Sequence, residues 1–126
     1  MNKISIIVPC YNEDAALPIY YKEMCKIMAQ MKEEEFELIF VDDGSTDHTL
    51  AEMKILHEKD ERCQYFSFSR NFGKEAAIYA GLKNATGEYA AIMDVDLQDP
   101  PSLLPKMYEI LQTEDYDSVA TRRSTR

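Results

Sequence analysis

The sequence is poor in cations. Its 126 residues include 14 lysines and arginines against 23 aspartates and glutamates, which gives a formal net charge of −9. A surface that binds nucleic acid needs a basic patch or stripe to neutralise phosphates, and this sequence contains none. We therefore exclude a general nucleic-acid-binding protein. A chain this acidic that handles phosphates has to neutralise them locally, with a metal ion or a few placed cations.

Cysteine and histidine are also scarce. Cys10, Cys25 and Cys63 are odd in number and share no close spacing, a pattern typical of reduced thiols and not of a disulfide framework or a zinc site. His48 and His57 have no partner pattern for a metal or a catalytic triad. These features favour a cytoplasmic setting.

Long apolar runs are missing as well. No stretch reaches the length of a transmembrane helix, and the N-terminus enters a strand-like run without the apolar region of a signal peptide. The patterns G-x-G-x-x-G and G-x-x-x-x-G-K-S/T are absent, so the usual dinucleotide and ATP fingerprints do not apply. The length fits one domain, and an apolar fraction of 45% is enough to build its core.

Strand and helix patterns alternate along the chain. Short β-branched apolar runs predict buried strands, and apolar residues at helical spacing predict the helices between them. The predicted strands are residues 4–9, 38–41, 65–69, 89–94 and 117–120. The first helix carries an inward stripe of Leu17, Tyr21, Met24, Met28 and Met31. The second is capped by Ser45 or Thr46, the third follows Gly73 and can end at Gly87, and the fourth begins at Pro101. This alternation predicts an α/β fold with a mainly parallel sheet and helices on both faces.

Polar loops follow each of the first four predicted strands. Ligands of such sheets bind at the carboxyl ends of the strands, so these four loops predict one site. The loop after the fourth strand stands out because Asp94, Asp96 and Gln98 occupy alternate positions. If the backbone there is extended, the three side chains point the same way. Their oxygens suit a hard cation such as Mg²⁺ or Mn²⁺. The alternative is a strand end with solvated acids.

Four motifs in order resemble one family. They are residues 7–13 (IVPCYNE), 41–47 (VDDGSTD), 68–77 (FSRNFGKEAA) and 93–101 (MDVDLQDPP). Together they resemble the family 2 inverting glycosyltransferases of the GT-A fold. The last two motifs are similar to the polyprenyl-phosphate branch, which includes dolichol-phosphate mannose synthases and bactoprenol glucosyltransferases. The resemblance covers essentially the whole chain.

The resemblance implies a role for each motif. In the family the first loop cradles the base of a nucleotide sugar, the acid at the second strand end hydrogen-bonds that base, and the D-x-D acids meet the ribose and the metal–diphosphate. The implied donor-binding residues are Pro9, Tyr11, Asn12, Glu13, Asp42, Asp43, Lys74 and Asp94. The implied metal ligands are Asp94, Asp96 and Gln98. The implied catalytic residues are Asp96 and Arg123, the latter matching an arginine near the phosphates.

Each of these assignments has a simpler alternative. Tyr11 could pack over the sheet edge, residues 42–44 could form a turn stabilised by an Asp side chain, and Arg70 and Lys74 could be solvated charges.

The resemblance also implies an enzyme larger than this chain. Family members continue into an acceptor-binding half, which in this branch is usually followed by transmembrane helices. We therefore expect residues 1–126 to be the nucleotide-sugar-binding part of a GT-A domain, with the complete protein anchored at the cytoplasmic face of the membrane. The partners implied are a nucleotide-diphosphate sugar and a polyprenyl phosphate, and an exposed sheet edge could allow self-association.

Two other functions remain open from the sequence. One is a sugar-phosphate nucleotidyltransferase, although the glycine-rich loop of that class is missing after the first strand. The other is a non-catalytic module that keeps nucleotide affinity. A turnover assay separates these from a glycosyltransferase. In the glycosyltransferase mechanism, the lipid phosphate attacks the anomeric carbon directly and the metal neutralises the leaving diphosphate.

Overall fold

The computed structural model describes residues 2–96 and 101–113. Within these residues, parallel strands and helices alternate, as predicted. The strands are β1 (Lys3–Cys10), β2 (Glu35–Asp42), β3 (Cys63–Ser67) and β4 (Tyr89–Ile92). The helices are α1 (Ala16–Gln30), α2 (Thr49–Lys59), α3 (Lys74–Lys83) and α4 (Leu104–Thr113), the last preceded by a 3₁₀ turn at Pro101–Leu103. The predicted strand at 117–120 lies outside the described residues.

The sheet has the order β3-β2-β1-β4, with parallel pairing throughout. Ile7 pairs in register with Ile39 of β2 and with Ile92 of β4, so β1 lies in the middle of the sheet. Parallel strands covered on both faces read as continuous apolar runs, as residues 6–8 of β1 and 38–41 of β2 do.

One face of the sheet carries the main core. Leu17, Tyr20 and Met24 of α1 are fully buried there, as is Met53 of α2, and Leu104 of α4 joins them. Each fully buried side chain of this size stabilises the fold by about 1.5–3 kcal/mol. Tyr21, predicted to lie on the inward stripe, does pack against this core, but Tyr20, which was not predicted, takes the fully buried position. Tyr21 is half-buried, and its hydroxyl donates to the Asp60 carboxylate at 2.6 Å.

The opposite face is covered by α3. A smaller cluster, Ile39, Val41 and Ala77, packs there. A Cβ at Gly81 would lie 2.5 Å from Cγ2 of Ile7, so this glycine lets α3 lie directly on β1. Helices therefore cover both faces, as predicted.

Several predicted boundaries are wrong. β3 is Cys63–Ser67 instead of 65–69, and β4 ends at Ile92 instead of continuing to 94. α2 begins at Thr49, so neither Ser45 nor Thr46 caps it, and α3 ends at Lys83, well before Gly87. The backbone of Gly87 instead donates to the Ser5 hydroxyl at 2.9 Å, beside the amino end of β1. None of the described helices is both long enough and apolar enough to span a bilayer.

Candidate functional site

A cleft of about 320 Å³ opens at the carboxyl edge of the sheet. Its walls come from the loops after β1, β2 and β4 and from the first residue of α3. Parallel strands end together at this edge, which is where α/β sheets bind ligands. The described residues that line it are Pro9, Cys10, Tyr11, Glu13, Asp43, Lys74, Asp94, Val95 and Asp96.

Asn12 joins the loop after β1 to the loop after β2. Its backbone N–H donates to the Ser45 hydroxyl at 2.9 Å, and its Oδ1 accepts from the Thr46 N–H at 2.8 Å. Its φ is +54°, a left-handed conformation that asparagine tolerates better than most residues. Asn12 therefore fixes the two loops relative to each other and is not among the residues that line the cleft.

The start of α2 holds the same loop in place. The hydroxyl of Thr49 accepts from the Glu13 N–H at 2.8 Å, and the Asp47 carboxylate accepts from the Thr49 N–H at 2.9 Å. Burial raises the pKa of Asp47, but the hydrogen bonds from Thr49 outweigh it and leave that pKa below its ordinary value. Asp47, just before the helix, thus takes the role predicted for Ser45 or Thr46. The backbone of Glu13 is anchored while its side chain reaches the cleft.

Asp42 and Asp43 are neighbours with different surroundings. Asp42 is 2% exposed and accepts hydrogen bonds from the Ser45 N–H and the Ser67 hydroxyl, each at 3.0 Å. It lies behind the cleft and does not line it. Its predicted contact with a base therefore stays a prediction, and the structure shows Asp42 linking the loop after β2 to the last residue of β3.

Asp43 does line the cleft, and it also holds the loop after β3. Its carboxylate accepts from the Phe72 N–H at 2.8 Å and from the Gly73 N–H at 3.1 Å. Gly44 brings the two loops into contact, because a Cβ there would lie 2.2 Å from the backbone carbon of Arg70. Its φ of +72° also disfavours other residues. By binding the N–H groups of Phe72 and Gly73, Asp43 positions the start of α3.

Lys74 is the first residue of α3, and its side chain crosses the cleft. Its Nζ lies 2.7 Å from Oδ1 of Asp94, which stands two residues after the end of β4. The Lys74 side chain is 58% exposed and that of Asp94 is 29% exposed. Lys74 is thus exposed to solvent, as in the simpler interpretation, but it also forms an ion pair inside the candidate site.

The two D-x-D acids reach the cleft through a turn. The Met93 N–H donates to the Ile7 carbonyl at 2.9 Å, and the chain then turns at Val95 and Asp96. The expectation of an extended segment here is wrong, but Asp94 and Asp96 both line the cleft. Val95 between them is buried in the main core and anchors the turn.

The cleft concentrates negative charge. Burial raises the pKa of Glu13 above its ordinary value, and the nearby carboxylates Asp96, Asp47 and Asp94 raise it further. Burial also strongly raises the pKa of the Cys10 thiol, with help from Glu13 and Asp42. Cys10 is therefore a protonated, unreactive wall of the cleft. Four acids line it, against one cation, among the residues that the structure describes.

The carboxylate oxygens of these acids are ligands that suit a hard divalent cation. Glu13, Asp94 and Asp96 all line one cleft, and the part of the raised pKa of Glu13 that comes from the neighbouring carboxylates, after the larger part from burial, is repulsion that a cation would relieve. In the described part of the chain, however, no three metal-ligating acids, histidines or cysteines are grouped as a ready metal site. An ion bound here would need further ligands, such as a bound diphosphate.

Most predicted site residues meet in this cleft. Asn12 and Asp42 are not among its lining residues, while Gln98 and Arg123 lie outside the described residues. Sequence reasoning missed two lining residues, Cys10 and Val95. Cys10 and Val95 are apolar or weakly polar, so their chemistry did not suggest binding. Their positions inside two of the four motifs were the available signal.

Comparison with known proteins identifies relatives across almost the whole chain. The family model described as glycosyl transferase family 2 matches residues 5–126. A prophage bactoprenol glucosyl transferase homolog of Escherichia coli is 43% identical over 124 residues, which is 98% of this chain and 40% of the relative. An undecaprenyl-phosphate 4-deoxy-4-formamido-L-arabinose transferase of Proteus mirabilis is 38% identical, over 100% of this chain and 38% of the relative. The chain thus spans about 40% of the length of these curated relatives.

Solved structures agree on the fold. A Pyrobaculum calidifontis mannosyltransferase in complex with GDP-Man and Mn²⁺ superposes with a TM-score of 0.70 at 24% identity, over 88% of this chain and 32% of that one. Staphylococcus aureus TarS, residues 1–349, in complex with UDP, superposes with a TM-score of 0.56 at 27% identity, over 84% of this chain and 33% of that one. The first likeness shows a shared fold.

Proposed function

Because the chain belongs to glycosyl transferase family 2, we propose that its cleft binds a nucleotide-diphosphate sugar together with a divalent cation. The complete enzyme would transfer the sugar to a polyprenyl phosphate with inversion at the anomeric carbon. The observation that carries the proposal is the convergence of Glu13, Asp94, Asp96 and Lys74 in one cleft at the carboxyl edge of the sheet. Family membership also argues against the nucleotidyltransferase alternative.

The relatives support the donor and the acceptor. The two relatives described above, at 43% and 38% identity, are named for bactoprenol and undecaprenyl phosphate, which are polyprenyl carriers. TarS, at 27% identity, was solved with UDP. We therefore expect a sugar nucleotide with a uracil base as the first donor to test.

The loops after β1 and β2 would hold the base. Tyr11 is 47% exposed at the mouth of the cleft, and its ring could stack on a base. Asp43 lines the same cleft, and a carboxylate is only an acceptor, so it would select the ring N–H of uracil or guanine. Asp42 would act with it, either by direct contact or by holding Ser45 and Ser67 in place.

The loop after β4 would hold the diphosphate. Asp94 and Asp96 would coordinate the cation, with Gln98 as a further predicted ligand. The cation neutralises charge on the leaving diphosphate when it is bound. Lys74 is positioned to add a direct charge-assisted contact to a phosphate oxygen. Because a phosphate acceptor is ionised at neutral pH, its oxygen can attack the anomeric carbon without a strong general base. The proposed catalytic roles of Asp96 and Arg123 belong to this step.

Calorimetry tests the proposal. UDP should bind at least about tenfold more tightly with Mn²⁺ than with EDTA, a difference of about 1.4 kcal/mol. Asp96→Asn should remove most of that difference, because one anionic ligand is lost. Glu58→Gln, an exposed acid on α2, removes the same charge away from the cleft and should leave the difference unchanged. Equal UDP affinity with and without Mn²⁺ in the unmodified chain would refute the metal-dependent site.

A further inference from the structure

We propose that Lys74 is a built-in counter-cation of the cleft that competes with the divalent cation for Asp94. In the absence of the metal, its ammonium group neutralises Asp94. When the metal arrives, Lys74 gives up Asp94 and becomes available to the donor diphosphate. This inference rests on the proposed function, and it assigns Lys74 two successive partners.

The ion pair itself is the first observation. At 2.7 Å, Nζ of Lys74 occupies a coordination position on Oδ1 of Asp94 that a metal ion would also use. A metal ion bound to the same carboxylate would lie within a few ångströms of the ammonium group, and the two cations would repel each other. Each therefore weakens the binding of the other at Asp94, and metal binding favours movement of the ammonium group away from that carboxylate.

The second observation is that the backbone of Lys74 follows a loop held by hydrogen bonds, whereas its side chain is largely exposed. Asp43 binds the N–H groups of Phe72 and Gly73, which sets the first turn of α3 relative to β2. The Lys74 side chain is 58% exposed, so its ammonium group can leave Asp94 without leaving the mouth of the cleft. Its long stem can then place the charge on a phosphate that enters beside the metal.

The third observation is the charge balance. Glu13, Asp43, Asp94 and Asp96 line the cleft, and Lys74 is the cation that accompanies them within the described residues. Without Lys74, the acids would attract a metal ion more strongly. With a metal and a diphosphate bound, the loss of Lys74 would instead remove an attractive contact. Removal of this one charge should therefore change the two affinities in opposite directions.

Manganese binding alone provides the main test. Free Mn²⁺ can be measured by electron paramagnetic resonance during titration of the 126-residue chain without nucleotide. Lys74→Met should bind Mn²⁺ about two- to fivefold more tightly, the range expected for loss of one partly exposed ion pair. Lys83→Met is the matched control, since it removes the same charge from the exposed last turn of α3. It should leave Mn²⁺ affinity unchanged.

Nucleotide affinity should change in the opposite direction to Mn²⁺ affinity. At saturating Mn²⁺, UDP affinity should fall about tenfold or more in Lys74→Met, because a charge-assisted hydrogen bond is lost. A merely structural role for Lys74 would weaken both affinities, and an unchanged melting temperature would exclude unfolding. Unchanged or weaker Mn²⁺ binding in Lys74→Met, or equal tightening in Lys83→Met, would overturn the inference. If no UDP binds to the unmodified chain, the proposed function fails, whereas the Mn²⁺ comparison still decides the competition.

Discussion

The sheet has an amino edge, where its parallel strands begin, and a carboxyl edge, where they end, and acidic side chains have opposite roles at these two edges. At the amino edge, Glu37 of β2 is 3% exposed and is surrounded by partners. Its carboxylate accepts from the Ser5 hydroxyl at 2.5 Å, the Thr86 N–H at 2.7 Å and the Gln64 side-chain amide at 3.1 Å, and Lys3 lies 3.7 Å away. Burial raises the pKa of Glu37, but these contacts outweigh it, so the pKa lies below its ordinary value.

At the carboxyl edge the balance is reversed. The pKa of Glu13 is raised, first by burial and then by the carboxylates Asp96, Asp47 and Asp94. The two edges show how the same residue type serves two purposes. A buried acid with hydrogen-bond donors around it stabilises the sheet, whereas the acids that line the cleft raise the pKa of Glu13 and are suited to a charged ligand.

The largest expected effect is at the amino edge. Glu37→Ala should destabilise the chain by about 3 kcal/mol, because the buried Ser5 hydroxyl and the Thr86 N–H both lose their acceptor. Urea unfolding followed by circular dichroism measures the change. Glu35→Ala, at the exposed first residue of the same strand, is the matched control and should stay within about 0.5 kcal/mol of the unmodified chain. Equal losses in the two variants would contradict the assigned role of Glu37.

The next effect concerns Asp43, which belongs to the carboxyl edge but is as well satisfied as Glu37. Asp43→Ala should cost about 2 kcal/mol of stability, since Phe72 and Gly73 lose their acceptor. It should also weaken UDP binding, because the released loop carries Lys74. Asp94→Ala should change stability by about 0.5 kcal/mol or less, as expected for one partly exposed ion pair. The distinction between the two residues fails if Asp94→Ala destabilises as much as Asp43→Ala.

A pH titration sharpens the comparison further. Because the pKa of Glu37 is lower in the folded than in the unfolded chain, its contribution is fully present above the ordinary value of 4.5 and is lost as pH falls below it. The free energy of unfolding should therefore decline as the pH falls below about 4.5. In Glu37→Gln this decline should be shallower. Asp60, whose pKa is lowered by hydrogen bonds from Arg62, titrates in both chains and cancels in the difference. Parallel curves would show that Glu37 is not a source of the acid sensitivity.

The smallest expected change in stability is a gain instead of a loss. A raised pKa means that ionised Glu13 disfavours the folded state above that pKa, so Glu13→Gln should stabilise the chain at pH 7 by about 0.5 kcal/mol at most. The same change should weaken Mn²⁺ binding, because an anionic group leaves the cleft. Thermal unfolding at low salt and a Mn²⁺ titration measure the two effects. A destabilised Glu13→Gln chain would mean that this acid is a structural partner like Glu37.

Local pattern accounts for the parts of the fold that the sequence predicted well. The alternation of strands and helices follows from residue type and spacing, so the α/β architecture was predictable. It was harder to predict which of two adjacent apolar residues on a helix faces the core. Tyr20 and Tyr21 differ by 100° around α1, and only the packing against Phe40, with ring centroids 6.4 Å apart, selects Tyr20 for the core.

The sequence by itself determined which chemical groups stand at the ends of the strands, because strand ends and motif residues depend on short stretches of chain. Tertiary structure decided how those groups are used. Asp42 and Asp43 are adjacent and chemically identical, yet one binds Ser45 and Ser67 behind the cleft and the other lines it. The pair of Lys74 with Asp94 exists because the order β3-β2-β1-β4 brings β4 beside β1, opposite the start of α3. That order depends on contacts between distant segments, which no local pattern contains.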